Sequence, residues 1–508
     1  MSEILTQEEL NNTLWGACDT FRGSMDSSVY KDYILVMLFI KYVSDMHKER
    51  KAEMMKKYDG DLEMVERQMS REEFKLDDNS TFDYIYENKN ADSPGEIINT
   101  ALEQIEEANK TKLRGVFKNI DFNSENVLGN YKDRKAKLRN LLEDFAVLDL
   151  SPSKLGGKDI IGNAYEYLIN KFASDAGKKG GEFFTPSEVS ELLASLVKPV
   201  ENDRIYDPTC GSGSLLIKAF QKAPNGNAQI YGQERNGQTE SLCKLNMYLH
   251  KIYDAEIEWG DTLANPKHLE DGKLKKFQVV VANPPFSLDK WSMGFAGSES
   301  DKDFKMEEGL DPYNRFSWGI PPKSKGDYAF VLHMINSLAA GGRMGVVLPH
   351  GVLFRGAAEG KIRKQIIDTN LLDAVIGLPA NLFFGTSIPA CILILKQNRT
   401  TKDILFIDAS GEDHYEKGKK QNKLRPEDID TILKAYGERK DIDKYAHVAT
   451  IEEVKENDYN LNIPRYVDTF EEEELVDMQE VEKNITSIRT ELKEVELKMA
   501  EYLKELGL

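Results

Sequence analysis

The ten residues FQVVVANPPF, Phe277 to Phe286, decide how this chain is read. Phe277 to Ala282 is a short β-branched apolar run bounded by charge, the pattern of a buried parallel strand. Two successive prolines, Pro284 and Pro285, cannot continue a central strand, and each fixes φ near −65°, so the chain must leave the sheet rigidly there. Ligands bind at the carboxyl end of such strands in open α/β sheets. The Asn283 side-chain oxygen and the Pro284 carbonyl are two acceptors that can converge on one amino group. The Phe286 ring, two residues on, can stack against a planar base. Taken alone, the four residues are equally well explained as a strand-ending turn, and their neighbours must decide.

Working outward, strands alternate with helices from about residue 186 to 400. Strands are expected at Arg204–Tyr206, Gln229–Gln233, Ile257–Trp259, Val279–Ala282, Arg343–Leu348, Leu371–Leu378 and Cys391–Lys396. That alternation predicts an α/β fold with a doubly wound parallel sheet. After the first strand come Asp207, then Gly211, Ser212, Gly213 and Ser214, where glycines permit a sharp turn and a close backbone approach to a ligand. The carboxylate ahead of them argues against a phosphate cradle, and no Lys-Ser/Thr follows as a triphosphate loop requires. Asp207 suits a cationic amine, such as that of S-adenosylmethionine. Glu234 ends the second strand and is placed to accept from ribose hydroxyls. Asp261 ends the third and can accept the amino group of an adenine ring. A single acidic residue at a strand end is more often a solvated loop residue. Three on consecutive strand ends form a pattern.

The N-terminal 150 residues lack alternating strands and read as α-helical, with Asp26 as N-cap of a helix through the apolar stretch Tyr33–Val43. Further helices are expected at Pro94–Ala108, Tyr131–Phe145 and Leu155–Ala173. The glycine- and lysine-rich stretch 175–181 reads as a linker or lid, and 287–327 as a long functional loop. After residue 400 the chain turns polar, with the basic run EKGKKQNKLR at 416–425. Met478, Val481, Ile485, Ile488, Leu492, Val495, Met499, Tyr502 and Leu506 then alternate three and four apart, a heptad seam that could lie on its own domain but whose narrowness on a strongly charged helix favours pairing with another element. The expected organisation is a helical domain (1–150), a catalytic sheet domain (151–400), a polar connection (401–465) and a docking helix (466–508).

Of the 508 residues, 40% are hydrophobic and 30% charged, as in a soluble globular protein. No apolar run is long enough to span a membrane, and the polar first residues lack the pattern of a secretory leader, so a cytoplasmic protein is expected. Four scattered cysteines without a C-x-x-C pair suggest neither zinc nor disulfides. A net charge of −19 is unusual for a protein that grips DNA unaided.

The succession Asp207/Gly211/Gly213, Glu234, Asp261 and Asn283–Phe286 resembles that of the class I S-adenosylmethionine-dependent amino methyltransferases. Upstream, Glu182, Phe183, Phe184, Thr185, Pro186 and Ser187 resemble the cofactor-contacting F-x-T-P segment of the gamma group of DNA adenine-N6 methyltransferases. LWGACDTFRGSMDSSVYKDYILVMLFIKYVSD, GGRMGVVLPHGVLFR and NLFFGTSIPACILILKQN resemble the modification subunit of type I restriction–modification systems, so the likeness covers nearly the whole chain. Departures are slight: Glu182 stands where many relatives carry Gln, and Ser214 where a small residue varies.

The resemblance implies a site-specific adenine methyltransferase with S-adenosylmethionine as cofactor and no metal. It implies base flipping, with Asn283, Pro284, Pro285 and Phe286 at the reacting amine. Glu182 to Ser187, Asp207, Gly211 to Ser214, Glu234 and Asp261 would hold the cofactor. Its partners would be double-stranded DNA, a separate specificity subunit carrying two modification subunits, and a restriction subunit. Lys178, Lys179 and the 287–327 loop are candidate phosphate or base contacts. Two other readings remain. The same four-residue turn serves amine methylation on protein glutamine, cytosine N4 and some RNA guanines, although chain size, F-x-T-P order and the helical domain favour adenine. An inactive structural subunit is the third, and the intact motif residues oppose it.

Overall fold

The computed structural model describes residues 4–157, 159–176, 185–298, 304–469 and 478–506. Every expected strand is present: β1 (Arg204–Asp207), β2 (Gln229–Glu234), β3 (Glu256–Trp259), β6 (Phe277–Ala282), β7 (Leu338–Pro349), β8 (Leu372–Gly377) and β9 (Ala390–Lys396). Four more are found: β4 (Leu269–Glu270) and β5 (Lys273–Leu274), which form a small hairpin, and β10 (Asp403–Asp408) and β11 (Ala446–Thr450). Among the described residues nine strands form one sheet in the order β11-β10-β8-β9-β7-β6-β1-β2-β3. The chain builds outward from β1 to β3, then returns to place β6 on the other side of β1. The crevice between β1 and β6 is therefore the topological switch point where such sheets bind ligands.

The sheet is mixed, which corrects the expectation of a parallel one: β9 runs antiparallel to both β7 and β8, and β11 antiparallel to β10. Periodicity could not show this, because β9 (ACILILK) is buried on both faces and reads the same in either direction. The stretch 401–465, expected as a polar connection, instead extends the sheet. β10 pairs parallel to β8, and the helix Pro426–Glu438 buries Ile429, Ile432 and Ala435 in the core on one sheet face. Its apolar pieces are short and separated by charge, so local pattern hid them.

The N-terminal helices form their own core around Ser27–Lys57, capped by Asp26, whose carboxylate accepts from the Ser28 amide at 2.9 Å. The one lysine in that helix's apolar stretch, Lys41, is buried against Asp45 at 2.6 Å, and Asp45 also accepts from the Leu150 amide. The helix Ile160–Ala176 packs within this same core.

One helix joins the helical core to the sheet. In Gly237–Leu249, residues Leu242, Leu245 and Leu249, three and four apart, belong to the helical core. On the other side Cys243 and Met247, four apart, belong to the core beside β1 and β2. The Tyr165 hydroxyl donates to the Leu242 carbonyl at 3.0 Å, and Ser214 donates to Glu166 at 2.9 Å, so polar bonds reinforce the joint. Residues Met1–Val467 form one compact unit.

The second unit, Asp468–Leu508, carries the helix Met478–Glu505. Ile488, Leu492, Val495, Met499 and Tyr502 of the heptad seam are each 55–63% exposed. No described helix is long and apolar enough to cross a membrane.

Because the shared helix belongs to both cores, the first unit should unfold as one. Leu245→Ala removes a fully buried side chain and should cost about 2–5 kcal/mol. Calorimetry should show a single transition shifted downward as a whole; two transitions, of which one moves, would contradict the shared-helix account.

Candidate active site

The turn after β1 is built on glycine. Gly211 and Gly213 adopt φ of 53° and 84°, and a Cβ on Gly213 would lie 2.6 Å from Met247 Cε and 2.8 Å from Cys243 Sγ. The turn is held by the Cys210 amide donating to the Gln233 carbonyl and by Asn246 Nδ2 donating to the Ser212 carbonyl. Asp207 ends β1, buried, with Oδ1 accepting from the Thr209 amide at 2.8 Å. Among the described residues no cation pairs with it, and burial pushes its carboxyl up to about 8, with Glu234 adding to the shift.

Glu234, at the end of β2, is braced from both sides. Oε2 accepts from the Gly211 amide at 3.0 Å and Oε1 from the Asn236 amide at 2.7 Å. Burial nevertheless raises its pKa. Asp261, after β3, closes a turn through Oδ1, which accepts from the Leu263 and Ala264 amides at 2.9 and 3.1 Å. Its Oδ2 faces the largely exposed Arg235 at 3.5 Å.

At the end of β6, Asn283 donates from Nδ2 to Thr185 Oγ1 at 3.0 Å. Its Oδ1 is buried and has no hydrogen-bond partner among the described residues. An orphaned buried acceptor costs about 1–3 kcal/mol, so one at a strand end needs a reason. Pro284 is buried and Pro285 exposed. The half-buried Phe286 meets Phe383 edge to face at 5.6 Å between ring centres. The next residue, Ser287, takes φ of 52°, and its amide donates to Asp327 Oδ1 at 2.7 Å, with Arg355 paired to the same carboxylate at 3.1 Å. The turn is rigid on both sides.

Glu234, Asp261, Asn283 and Pro285 line one cavity of about 400 Å³, together with Pro208, Thr209, Arg235, Asn236, Gly260, Thr262, Leu288 and Phe330. That volume lies within the range of small-molecule sites. A second cavity of about 330 Å³ lies between the N-terminal helices and the start of Gly237–Leu249. It contains Ser212 and shares Asn236 with the first, but holds none of the strand-end carboxylates. The strand-end residues Glu234, Asp261 and Asn283 converge on the first cavity alone of these two.

Of the residues singled out by sequence, Asp207, Gly211 and Gly213 shape the turn behind that wall rather than lining it. Ser214 is turned to Glu166 and Ser187 begins the helix Ser187–Val197 after Pro186. Thr185 engages Asn283 directly. Glu182, Phe183, Phe184, Lys178 and Lys179 lie outside the described residues.

Arg315, in the long loop, escaped the sequence reading. It is fully buried and donates to Asp311, to the Thr262 carbonyl at 3.2 Å and to the Leu263 carbonyl at 2.6 Å. It also meets His333 Nδ1 at 3.1 Å, and His333 Nε2 meets the Tyr206 hydroxyl of β1 at 3.1 Å. Burial and the Arg315 charge hold the His333 pKa well below its ordinary value, so the ring is neutral and Nδ1 accepts. Arg315 thus ties the loop to the Asp261 turn and to β1. Its partners are distant in sequence, and no local pattern marks it.

Asp207 gives a test of the electrostatics. Its folded pKa of about 8 lies above the ordinary 3.8, so its contribution to stability is complete below pH 4 and is lost as pH rises to 8. Asp207→Asn keeps the acceptor for the Thr209 amide and removes the titration. Thermal melts from pH 4 to 9 should show the variant gaining on the parent chain up to pH 8; a constant difference would contradict the buried, unpaired carboxyl.

Comparisons with known proteins bear on the family and the fold. Residues 156–475 match the family model for N-6 DNA methylases, and residues 10–145 that for the HsdM N-terminal domain. The type I restriction enzyme MjaVIII methylase subunit of Methanocaldococcus jannaschii is 37% identical over 99% of this chain and 86% of its own length. The MpnII methylase subunit of Mycoplasma pneumoniae is 32% identical over 97% of this chain and 95% of its own. The crystal structure of a type I restriction–modification system methyltransferase subunit from Streptococcus thermophilus has 36% identity and a TM-score of 0.79, covering 91% of this chain and 100% of that one. The helical region and mixed sheet therefore form a class I methyltransferase fold, and the chain belongs to the methylase subunits of type I restriction–modification systems, within the N-6 DNA methylase family.

Proposed function

We propose that this chain methylates the N6 amine of an adenine flipped out of duplex DNA, with S-adenosylmethionine as methyl donor. It acts in the cytoplasm as the modification subunit of a complex whose target is chosen by a separate specificity subunit. Two modification subunits share one specificity subunit, and a restriction subunit joins the full assembly. The observation that carries the reading is the orphaned Asn283 Oδ1 at the strand end, beside a cavity walled by Glu234 and Asp261.

The residues fit the cofactor. Glu234, fixed by two backbone amides, is left to accept from ribose hydroxyls. Asp261 Oδ2, faced only by the largely exposed Arg235 among the described residues, is placed to accept from an adenine amino group. Asp207, behind the wall and without a cation partner among the described residues, would favour the cofactor's cationic amine through its charge, and that amine would draw its pKa back toward the ordinary value. When bound, S-adenosylmethionine supplies an electrophilic methyl group on a positively charged sulfur.

The chain's own contribution is alignment. Flipping the adenine costs about a few kcal/mol. Phe286, braced by Phe383, stacks on the extruded base. Asn283 Oδ1 and the Pro284 carbonyl, which accepts no bond among the described residues, each take one hydrogen of the amine. That leaves the nitrogen lone pair directed at the methyl carbon. With the amine so aligned, a nitrogen–carbon bond would replace the donor's carbon–sulfur bond, and the surplus amine proton would pass to solvent. No titrating base is needed, and orientation supplies most of the acceleration. Thr185 fixes which end of the Asn283 amide faces the amine.

The exposed heptad seam of Met478–Glu505 supports its role as the surface that docks on helices of the specificity subunit. The acidic surface supports the same division of labour, in which DNA is gripped by the assembly.

In the assembled complex, Asn283→Ala should lower methyl transfer at least about 100-fold. Thr185→Val should lower kcat about 10-fold by freeing the amide to rotate, and Thr185→Ser should restore it. S-adenosylmethionine affinity, measured by calorimetry, should remain within about threefold in Asn283→Ala. Unimpaired transfer by Asn283→Ala would overturn the mechanism.

A further inference from the structure

The basic run at 416–425 is left unused by the mechanism, and its placement gives it a role. Residues 416–423 form a tight hairpin: the Glu416 amide donates to the Lys423 carbonyl at 2.8 Å, and the Lys423 amide donates back at 3.0 Å. A Cβ on Gly418 would lie 1.9 Å from the Gln421 carbonyl oxygen, so the turn requires glycine there. Four of the seven residues from 417 to 423 are lysines, Lys417, Lys419, Lys420 and Lys423, and all four are exposed. Among the described residues none of the four forms an ion pair, whereas the nearby Arg425 is paired with Asp428. Burial raises the Glu188 carboxyl, and the nearby Lys423 charge offsets part of that rise. In a chain of net charge −19, four clustered lysines with no ion pair among the described residues are a departure from the overall charge.

The hairpin is fastened to the catalytic wall. The Asn422 amide donates to the Asn381 carbonyl at 2.8 Å, and Asn422 Nδ2 donates to the Ala380 carbonyl at 2.9 Å. Gln421 Nε2 donates to the Leu382 carbonyl, and Asn381 Nδ2 donates to the Lys420 carbonyl at 3.4 Å. The next residue in that segment is Phe383, whose ring meets Phe286. Hydrogen bonds and one ring contact thus connect the lysines to the N-P-P-F turn.

We infer that this hairpin contacts the phosphates of the duplex beside the flipped base. The inference rests on the proposed action on DNA and adds a binding surface to it. Lysines offer phosphates compact point charges without reading sequence. A rigid hairpin next to the base-stacking ring would fix the backbone where the duplex must distort, while the rest of the acidic surface repels DNA.

The test uses the complex with its specificity subunit and the variant Lys417→Gln/Lys419→Gln/Lys420→Gln/Lys423→Gln. DNA affinity is measured by anisotropy between 50 and 200 mM salt, on target and scrambled duplexes. Each lost phosphate contact should reduce the slope of log affinity against log salt by about 0.9, giving a total reduction of about 2–4. Affinity should fall at least tenfold at 50 mM salt for both duplexes. S-adenosylmethionine affinity and kcat at saturating DNA should stay within twofold, which also reports that the variant is folded. An unchanged slope would overturn the inference. So would failure of the variant to assemble with the specificity subunit, which would assign the hairpin to a protein interface. If the unaltered complex makes no N6-methyladenine, the functional reading fails, and the salt slopes still decide whether the hairpin grips phosphate.

Discussion

Two adjacent parallel strands set the geometry on which everything else depends. β1 and β6 pair with Ile205 opposite Val279 and Tyr206 opposite Val280. Asp207 and Asn283 consequently emerge from the same edge of the sheet, on the two sides of the switch point. The five side chains Val279, Val280, Val281, Ile205 and Tyr206 are almost wholly buried, so the register is fixed by packing on both faces. A one-residue slip would turn each of them to the wrong face and carry the carboxylate and the amide out of register. The chemistry is precise because the strands beneath it have little freedom.

Around that edge, polar groups hold one another at some expense in solvation. Glu234 is fixed by the Gly211 and Asn236 amides, which binds the end of β2 to the turn after β1. Arg315 is buried among carbonyls and Asp311, which binds the long loop to the turn after β3. Thr185 reaches Asn283 from the segment that leads into Ser187–Val197. Each ties together elements far apart in sequence, and none of the bonds adds chemistry of its own. Among the described residues they leave the Asp207 carboxyl without a cation and Asn283 Oδ1 without a donor. Desolvated groups of that kind bind a matching partner without first having to be reorganised.

Much of this was legible in the sequence because β-branched runs ending in a glycine turn, a carboxylate or N-P-P-F are local signals. Every strand from β1 to β3 and from β6 to β9 was anticipated on that basis. Direction was not, since β9 is apolar up to its final Lys396 and carries no mark of running antiparallel. β10 and β11 were missed because DILFID and AHVAT are short and sit among charges; their burial comes from neighbours, not from their own pattern. At the site, residue types were legible and partnerships were not. Ser214 reads as part of the ligand turn, yet its hydroxyl is spent on Glu166 of the helical region. Arg315 reads as an ordinary loop arginine until the fold brings Thr262, Leu263 and His333 around it.

The helical region and the sheet are joined through Gly237–Leu249, which begins beside Glu234 and the cavity. Any load on the helical region therefore has a packed route to the wall of that cavity. The central claim is that this chain transfers methyl groups to adenine N6 while another chain selects the site. The most direct measurement incubates labelled S-adenosylmethionine and duplex DNA with this chain, alone and with its specificity subunit, and then separates the nucleosides. Label confined to N6-methyladenine, and present only when both chains are, is the predicted result. Label in cytosine or protein, or equal labelling by this chain alone, would contradict the account.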